Sequence, residues 1–183
     1  KASLSRLYDF QHDDGGWGWW KEGSSDRFMT AYVVWGLSLA KDAGINIKDN
    51  TLQRGIEFLQ DNLVEEENNP DMITWILHAL SYSKSTHVLR DRLWENRDKL
   101  NPYSRALFAL SEWNLGDAES RQRAEVLARN IANGIEEDTA SSTVHWGESG
   151  INYRWSEGGV EATAISIKAL ANIDPDNALV KPA

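Results

Sequence analysis

Cysteine is absent from the 183-residue chain. Disulfides, thiolate metal sites and a cysteine nucleophile are therefore excluded within it. A cysteine-free sequence fits cytosol and periplasm equally, so redox chemistry assigns no compartment. Long apolar runs are also missing. No stretch approaches the roughly 20 residues of a membrane span, and the opening "KASLSRL" lacks the layout of a signal peptide. Positive charge is in short supply, with 19 Lys+Arg against 28 Asp+Glu and a formal net charge of −9. That balance repels nucleic acid and anionic membrane, so neither is expected as a partner. The chain starts without Met and inside an apparent helical pattern, which leads us to expect a piece of something larger.

Strand-type alternation is hard to find, whereas helical periodicity recurs along the whole chain. Four segments are apolar nearly all round: "FMTAYVVWGLSLA" from Phe28, "DMITWILHALSY" from Asp71, "PYSRALFALSEWNL" from Pro102 and "VEATAISIKALA" from Val160. Such helices belong in an interior. Between them lie segments with one apolar stripe, formed by Leu52, Ile56, Leu59 and Leu63, then by Leu89, Leu93 and Leu100, then by Ala124, Leu127, Ala128, Ile131 and Ile135. We expect inner helices near 26–43, 71–83, 102–115 and 160–172, and outer ones near 51–64, 87–99 and 118–134. The implied fold class is all-α, an α/α toroid of inner and outer helix rings. About three to four helix pairs are present, so the ring is expected to be incomplete.

The punctuation agrees with this reading. Asn69-Pro70 and Asn101-Pro102 each place a capping residue before a proline at the first helical position, and Asp174-Pro175 repeats the pattern. Gly44 and Gly116 fall where helices should end, and Asp117 can cap the next one. "EEENNP" from Glu65 and "EEDTASS" from Glu136 read as polar connectors. No linker divides the chain, so 1–183 reads as a single domain. The inner segments look like degenerate copies of one unit: Thr30-Ala31 precedes Leu37, Thr163-Ala164 precedes Leu170, Thr74 precedes Leu80 and Ser104 precedes Leu110.

Two inner segments follow loops rich in Gly and Trp, "GGWGWWKEGSS" and "HWGESGINYRWSEGG". In the first, Gln11, Gly15 and Trp17 satisfy a Gln-x-x-x-Gly-x-Trp pattern like that with which triterpene cyclases tie helix pairs together. Gln11, Trp17 and Trp19 are therefore read as structural, with Trp17, Trp19 and Trp155 expected to be buried. The functional rival is a carbohydrate platform, with indole faces stacking on sugar rings and Asp13 or Asp14 binding hydroxyls. Four of the nine Trp, namely Trp35, Trp75, Trp94 and Trp113, sit at helical positions and are expected in or against the core.

Catalytic constellations are weaker. A cyclase needs an Asp-x-Asp-Asp cluster, and "QHDDGG" lacks its first Asp. A protein prenyltransferase needs a zinc set that includes cysteine. Carboxylates for glycoside cleavage could be drawn from Asp13, Asp14, Glu22, Glu148, Glu157 or Glu161, but acidic loop residues are more often simply solvated. The four histidines show no metal spacing. His12 and His145 lie in the two Trp-rich loops, His78 is mid-helix and expected to be satisfied in the interior, and His87 starts an outer helix. No catalytic, metal or cofactor residue is assigned, and no cofactor is expected.

The stretch "LYDFQHDDGGWGWW…TAYVVWGLSLAKDAG" resembles the thioester-containing domain of bacterial α2-macroglobulin-like proteins. "MITWILHALSYSK", "NPYSRALFALSEWNLGD" and "YRWSEGGVEATAISIKALA" look similar to later inner helices of that domain, in the same order. The resemblance implies a non-enzymatic, single-turnover protease trap in the periplasm or outside the cell. Cleavage of a bait exposes a thioester, which an amine of the protease then attacks. The partners implied are the remainder of the parent chain and, through it, proteases, and the incomplete ring implies self-association of the fragment. The family's Cys-Gly-Glu-Gln motif is absent here, and in relatives it lies upstream of the segment matched by Gln11–Gly16. Complement-type relatives also carry a histidine in a connector that corresponds to residues 62–70, where this chain has none. The alternatives are an α/α-toroid carbohydrate-active enzyme or sugar-binding module, and a structural toroid in an envelope protein.

Overall fold

The computed structural model describes residues 2–66, 68–139, 142–147 and 159–180. It is all-helical apart from one short hairpin among the described residues, and it divides into two compact units, up to Arg90 and from Asp91 onward.

The first unit contains α1 (Ala2–Asp9), α2 (Arg27–Asp42), α3 (Asp49–Asn62) and α4 (Pro70–Ser81). α2 packs on both α3 and α4. Its start is set by Asp26, whose carboxylate accepts from the Met29 amide, and α4 starts likewise on Asn69, which accepts from Met72. Gly44, at φ +77°, ends α2, with its N–H bonded to the Lys41 carbonyl. Ala31, Val34 and Leu37 of α2 meet Ile56 and Leu59 of α3 and Ile73, Ile76 and Leu80 of α4 in a solvent-free core. A band of rings runs along α2 and α4: Trp75 stacks on Phe28 at 5.3 Å, and His78 lies between Trp35 at 5.6 Å and Tyr82 at 5.2 Å. His78 is buried, as its mid-helix position suggested.

The second unit contains α6 (Pro102–Leu115), α7 (Ala118–Ala132), β1 (Glu136–Asp138), β2 (Thr143–His145) and α8 (Gly159–Ile173). The division between units falls within α5 (Leu89–Glu95). α6 packs on α7 and α8. Asn101 and Asp117 cap α6 and α7, and Gly116 at φ +83° closes α6. Trp94 lies under the guanidiniums of Arg97 and Arg123, and Trp113 under that of Arg121 at 3.6 Å. These two indoles are half-buried and pack against cations at the surface, outside the apolar core.

Two expectations are corrected here. α4 and α6 are interior helices, with nine of 12 and nine of 14 residues buried, but α2 and α8 bury only six of 16 and four of 15. α2 exposes Tyr32 and Leu39, and α8 exposes Val160 and Ile167. Each pair is seven residues apart and so shares a helix side that stays substantially exposed among the described residues. The all-round apolarity of these segments therefore does not translate into all-round burial. The "EEDTASS" stretch is also more than a connector, because Glu136–Asp138 pairs antiparallel with Thr143–His145. Its charged residues face solvent, so no apolar alternation marks it.

α5 starts on His87, whose Nδ1 accepts from the Leu89 amide at 3.2 Å. Desolvation by burial lowers the pKa of His87 below its ordinary 6.5. The folded chain therefore binds fewer protons here than the unfolded chain, and the stabilisation is complete above about pH 6.5 and lost as pH falls. Replacement by asparagine keeps an acceptor and removes the titration. We expect the Tm difference between wild type and His87→Asn to shift against wild type between pH 7 and pH 5. A constant difference would show that the ring nitrogen carries no cap.

Candidate functional site

Each Trp-rich loop holds one buried indole among the described residues. In the first unit Trp17 is 2% exposed. Its indole N–H donates to the Leu7 carbonyl of α1 at 2.9 Å, and its backbone N–H donates to the Thr30 hydroxyl of α2 at 2.8 Å. That hydroxyl lies 3.1 Å from the Trp17 carbonyl and 2.8 Å from the Asp26 carbonyl, either of which can accept its proton. In the second unit Trp146 is 1% exposed. Its indole N–H donates to the Ile131 carbonyl of α7 at 2.8 Å, and its backbone N–H donates to the Thr163 hydroxyl of α8 at 3.0 Å. The same lock therefore occurs twice: indole to the preceding helix, backbone to a threonine in the first turns of the next. The paired Thr-Ala dipeptides hinted at this duplication. The tie to tryptophan was not legible, because the two partners lie 13 residues apart in one unit and 17 in the other.

Around Trp17 the loop is sewn to α3. The Gln11 amide donates to the carbonyls of Gly15 and Thr51, both at 2.9 Å, and the Arg54 guanidinium donates to the carbonyls of His12 and Asp13. Gln11 thus has the structural role its pattern suggested. Arg54 and Ser25 were missed, since neither carries a motif. Asp14 accepts from the Gly16 amide at 2.9 Å and from the Ser25 hydroxyl at 2.7 Å, so this carboxylate braces the loop. His12 bonds Ser25 Oγ through Nδ1 at 2.9 Å and the Trp20 carbonyl through Nε2 at 3.1 Å.

Trp19 does not follow expectation. It is 67% exposed and Trp20 is 78% exposed. The reason is local. The Gly16-Trp17-Gly18 segment turns one indole inward, with Gly18 pressed so closely on the Ser24 carbonyl that a Cβ there would lie 2.5 Å away. The chain then leaves the core for the surface. Trp19 edges an apolar cleft of about 440 Å³ lined also by Leu7, Phe10, Trp17, Met29 and Val33. On the other side of the loop, Asp9, His12, Asp13, Asp14 and Glu22 line an open polar cleft of about 500 Å³. Three of the sequence-proposed carboxylates, Asp13, Asp14 and Glu22, are thus brought together. Glu161 is exposed on α8, in the second unit. Glu148, Glu157 and Trp155 lie outside the described residues. His145 bonds the Gly147 carbonyl at 3.1 Å. Among the described residues no group of three or more His, Asp or Glu is arranged to hold a metal ion, and no helix is long and apolar enough to cross a membrane.

Comparison with known proteins adds one relationship. Over 60 residues the chain is 53% identical to the alpha-2-macroglobulin of Thermotoga maritima. The matched stretch is 33% of this chain and 4% of that protein's length. No family model matches the chain. An identity of this level over 60 residues makes the chain α2-macroglobulin-like in that stretch, in agreement with the motif resemblance.

Proposed function

We propose that residues 1–183 form part of one thioester-containing domain in an α2-macroglobulin-like protease inhibitor. The observation that carries this reading is the 53% identity to the Thermotoga maritima protein. The all-helical fold and the Trp-rich loops agree with it. In this reading the helices are a section of an α/α toroid whose wall shields the thioester from water. The uncovered apolar sides of α2 and α8 are where the remainder of the parent chain would complete the ring. The parent acts outside the cytoplasm, in the periplasm or beyond the cell, as a single-turnover trap and not as an enzyme.

The test uses the parent protein. Incubated with a protease, it should form a covalent adduct that survives denaturation, and pretreatment with methylamine should abolish that adduct. A parent that bears the thioester motif and forms no adduct would sink the proposal. Residues 62–70 carry no histidine and His78 is buried in α4. Activated parent should therefore take up labelled methylamine and far less labelled glycerol, because a weak hydroxyl nucleophile lacks a catalyst. The 183 residues alone, having no thiol, should gain no mass from methylamine. They should self-associate through the uncovered helix sides, which size-exclusion chromatography reads directly.

A second reading is favoured by the exposure of Trp19 and Trp20 on the loop that also carries carboxylates of the polar cleft. Aromatic faces next to carboxylates suit a saccharide. Oligosaccharide binding that is lost in Trp20→Ala with unchanged Tm would establish this reading.

A further inference from the structure

Asn133 is the one asparagine of the chain that is followed by glycine. The pair ends α7, with Asn133 at the cap at φ −83° and ψ −10°, and both residues are exposed. An asparagine side chain places its amide carbon, Cγ, where a bond to the nitrogen of the next residue would close a five-membered ring. Glycine at that next position has no Cβ to hinder the approach. Here the nitrogen is engaged. The Gly134 N–H donates to the Ile131 carbonyl at 3.0 Å, and the same carbonyl accepts the Trp146 indole N–H at 2.8 Å. The Asn133 N–H donates to the Arg129 carbonyl at 3.0 Å. The exposed turn and the buried indole therefore share one oxygen.

We propose that Asn133 is a self-modifying site, converted to aspartate and isoaspartate by attack of the Gly134 nitrogen, at a rate controlled by the Trp146 lock. Solvent hydroxide takes the Gly134 amide proton, and the nitrogen forms a bond to Asn133 Cγ. The Cγ–Nδ2 bond breaks, and Nδ2 takes a proton from water and leaves as ammonia. Water then opens the imide at either carbonyl. Cleavage of the new bond at Cγ leaves aspartate, whereas cleavage at the Asn133 main-chain carbonyl leaves isoaspartate, with the chain routed through the former side chain. Closing the ring requires the Gly134 nitrogen to surrender its hydrogen, and so to give up its bond to Ile131. The reaction therefore proceeds from the frayed form of the helix end, whose population depends on what holds the last turn. Trp146, 1% exposed and bonded through its backbone to Thr163 of α8, holds the Ile131 carbonyl in place. The product acts back on that hold. It puts a carboxylate at the C-terminal end of α7, where the helix dipole disfavours negative charge, just before the acidic pair Glu136 and Glu137.

The test is peptide mapping by mass spectrometry after the full chain has been incubated at pH 8. The peptide that contains Asn133 should pass through a form about 17 Da lighter, from loss of ammonia, and end about 1 Da heavier in two separable forms of equal mass. It should change before any other asparagine-containing peptide. Asn133→Gln, which would have to close a six-membered ring, should lose both mass shifts. Trp146→Phe is the sharper variant, because it keeps an apolar ring and removes the indole N–H while leaving Asn133 and Gly134 untouched. One hydrogen bond is worth about threefold to tenfold in a local opening equilibrium, so modification should be faster by about that factor in Trp146→Phe. Circular dichroism confirms that each variant folds. An Asn133 peptide that changes no sooner than the others, or equal rates in wild type and Trp146→Phe, overturns the proposal.

Discussion

Trp17→Ala should lower stability by about 3–5 kcal/mol, and Trp146→Ala by a similar amount. Both indoles are almost solvent-free, and truncating either leaves a cavity that fixed helices on two sides cannot fill. The loss is not only apolar. Each truncation also removes one hydrogen bond to a helix carbonyl, Leu7 in one unit and Ile131 in the other. Trp19→Ala and Trp20→Ala provide the control, because their exposed indoles place them within about 0.5 kcal/mol of wild type. Chemical denaturation of the four variants reads the contrast. Four equal effects would mean that the two buried rings do not hold their loops.

Gly15→Ala should be nearly as damaging, at roughly 3 kcal/mol, for a reason that has nothing to do with apolar burial. Gly15 sits at φ +91°, where a side chain is strained, and a Cβ there would lie 2.6 Å from the backbone carbonyl oxygen of Arg54. A flexible side chain could turn away, but a carbonyl inside α3 cannot, since its position is set by the helix. The loop would have to withdraw. In doing so it would stretch the bonds from Gln11 to Gly15 and Thr51 and from Arg54 to His12 and Asp13. Gly23 is the matched comparison, since its φ is also positive but nothing lies within 4 Å of an added Cβ. Gly23→Ala should therefore show the conformational strain alone. If the two alanine variants melt together, the close approach to Arg54 contributes nothing.

How far the sequence could be read depended on the range of the interaction in question. Asp26, Asn69, Asn101 and Asp117 act on amides three residues away, and Gly44 and Gly116 act on carbonyls three and four residues back. Those bonds close within a single helical turn, so residue type and spacing already specify them. The same holds for Pro70 and Pro102 at the first helical positions. Helix positions and the all-α class follow from such local rules, together with 3.6-residue periodicity.

The tertiary structure decided what spacing cannot carry. Trp17, Trp19 and Trp20 are the same residue type within four positions, yet one is buried and two are exposed. The difference lies in partners at Leu7 of α1 and Thr30 of α2, which only the inward-turned Trp17 reaches. Segment 160–172 is as apolar as segment 102–115, yet α8 is covered on one side and α6 on nearly all, because burial depends on which helices are neighbours and not on composition. His12 and His87 likewise differ only in their surroundings. One ring bridges the Ser25 hydroxyl and the Trp20 carbonyl, and the other offers a lone pair to the Leu89 amide. Composition and periodicity determine which elements form, while the partners of each histidine and the choice of buried indole arise from contacts that exist only once those elements have packed.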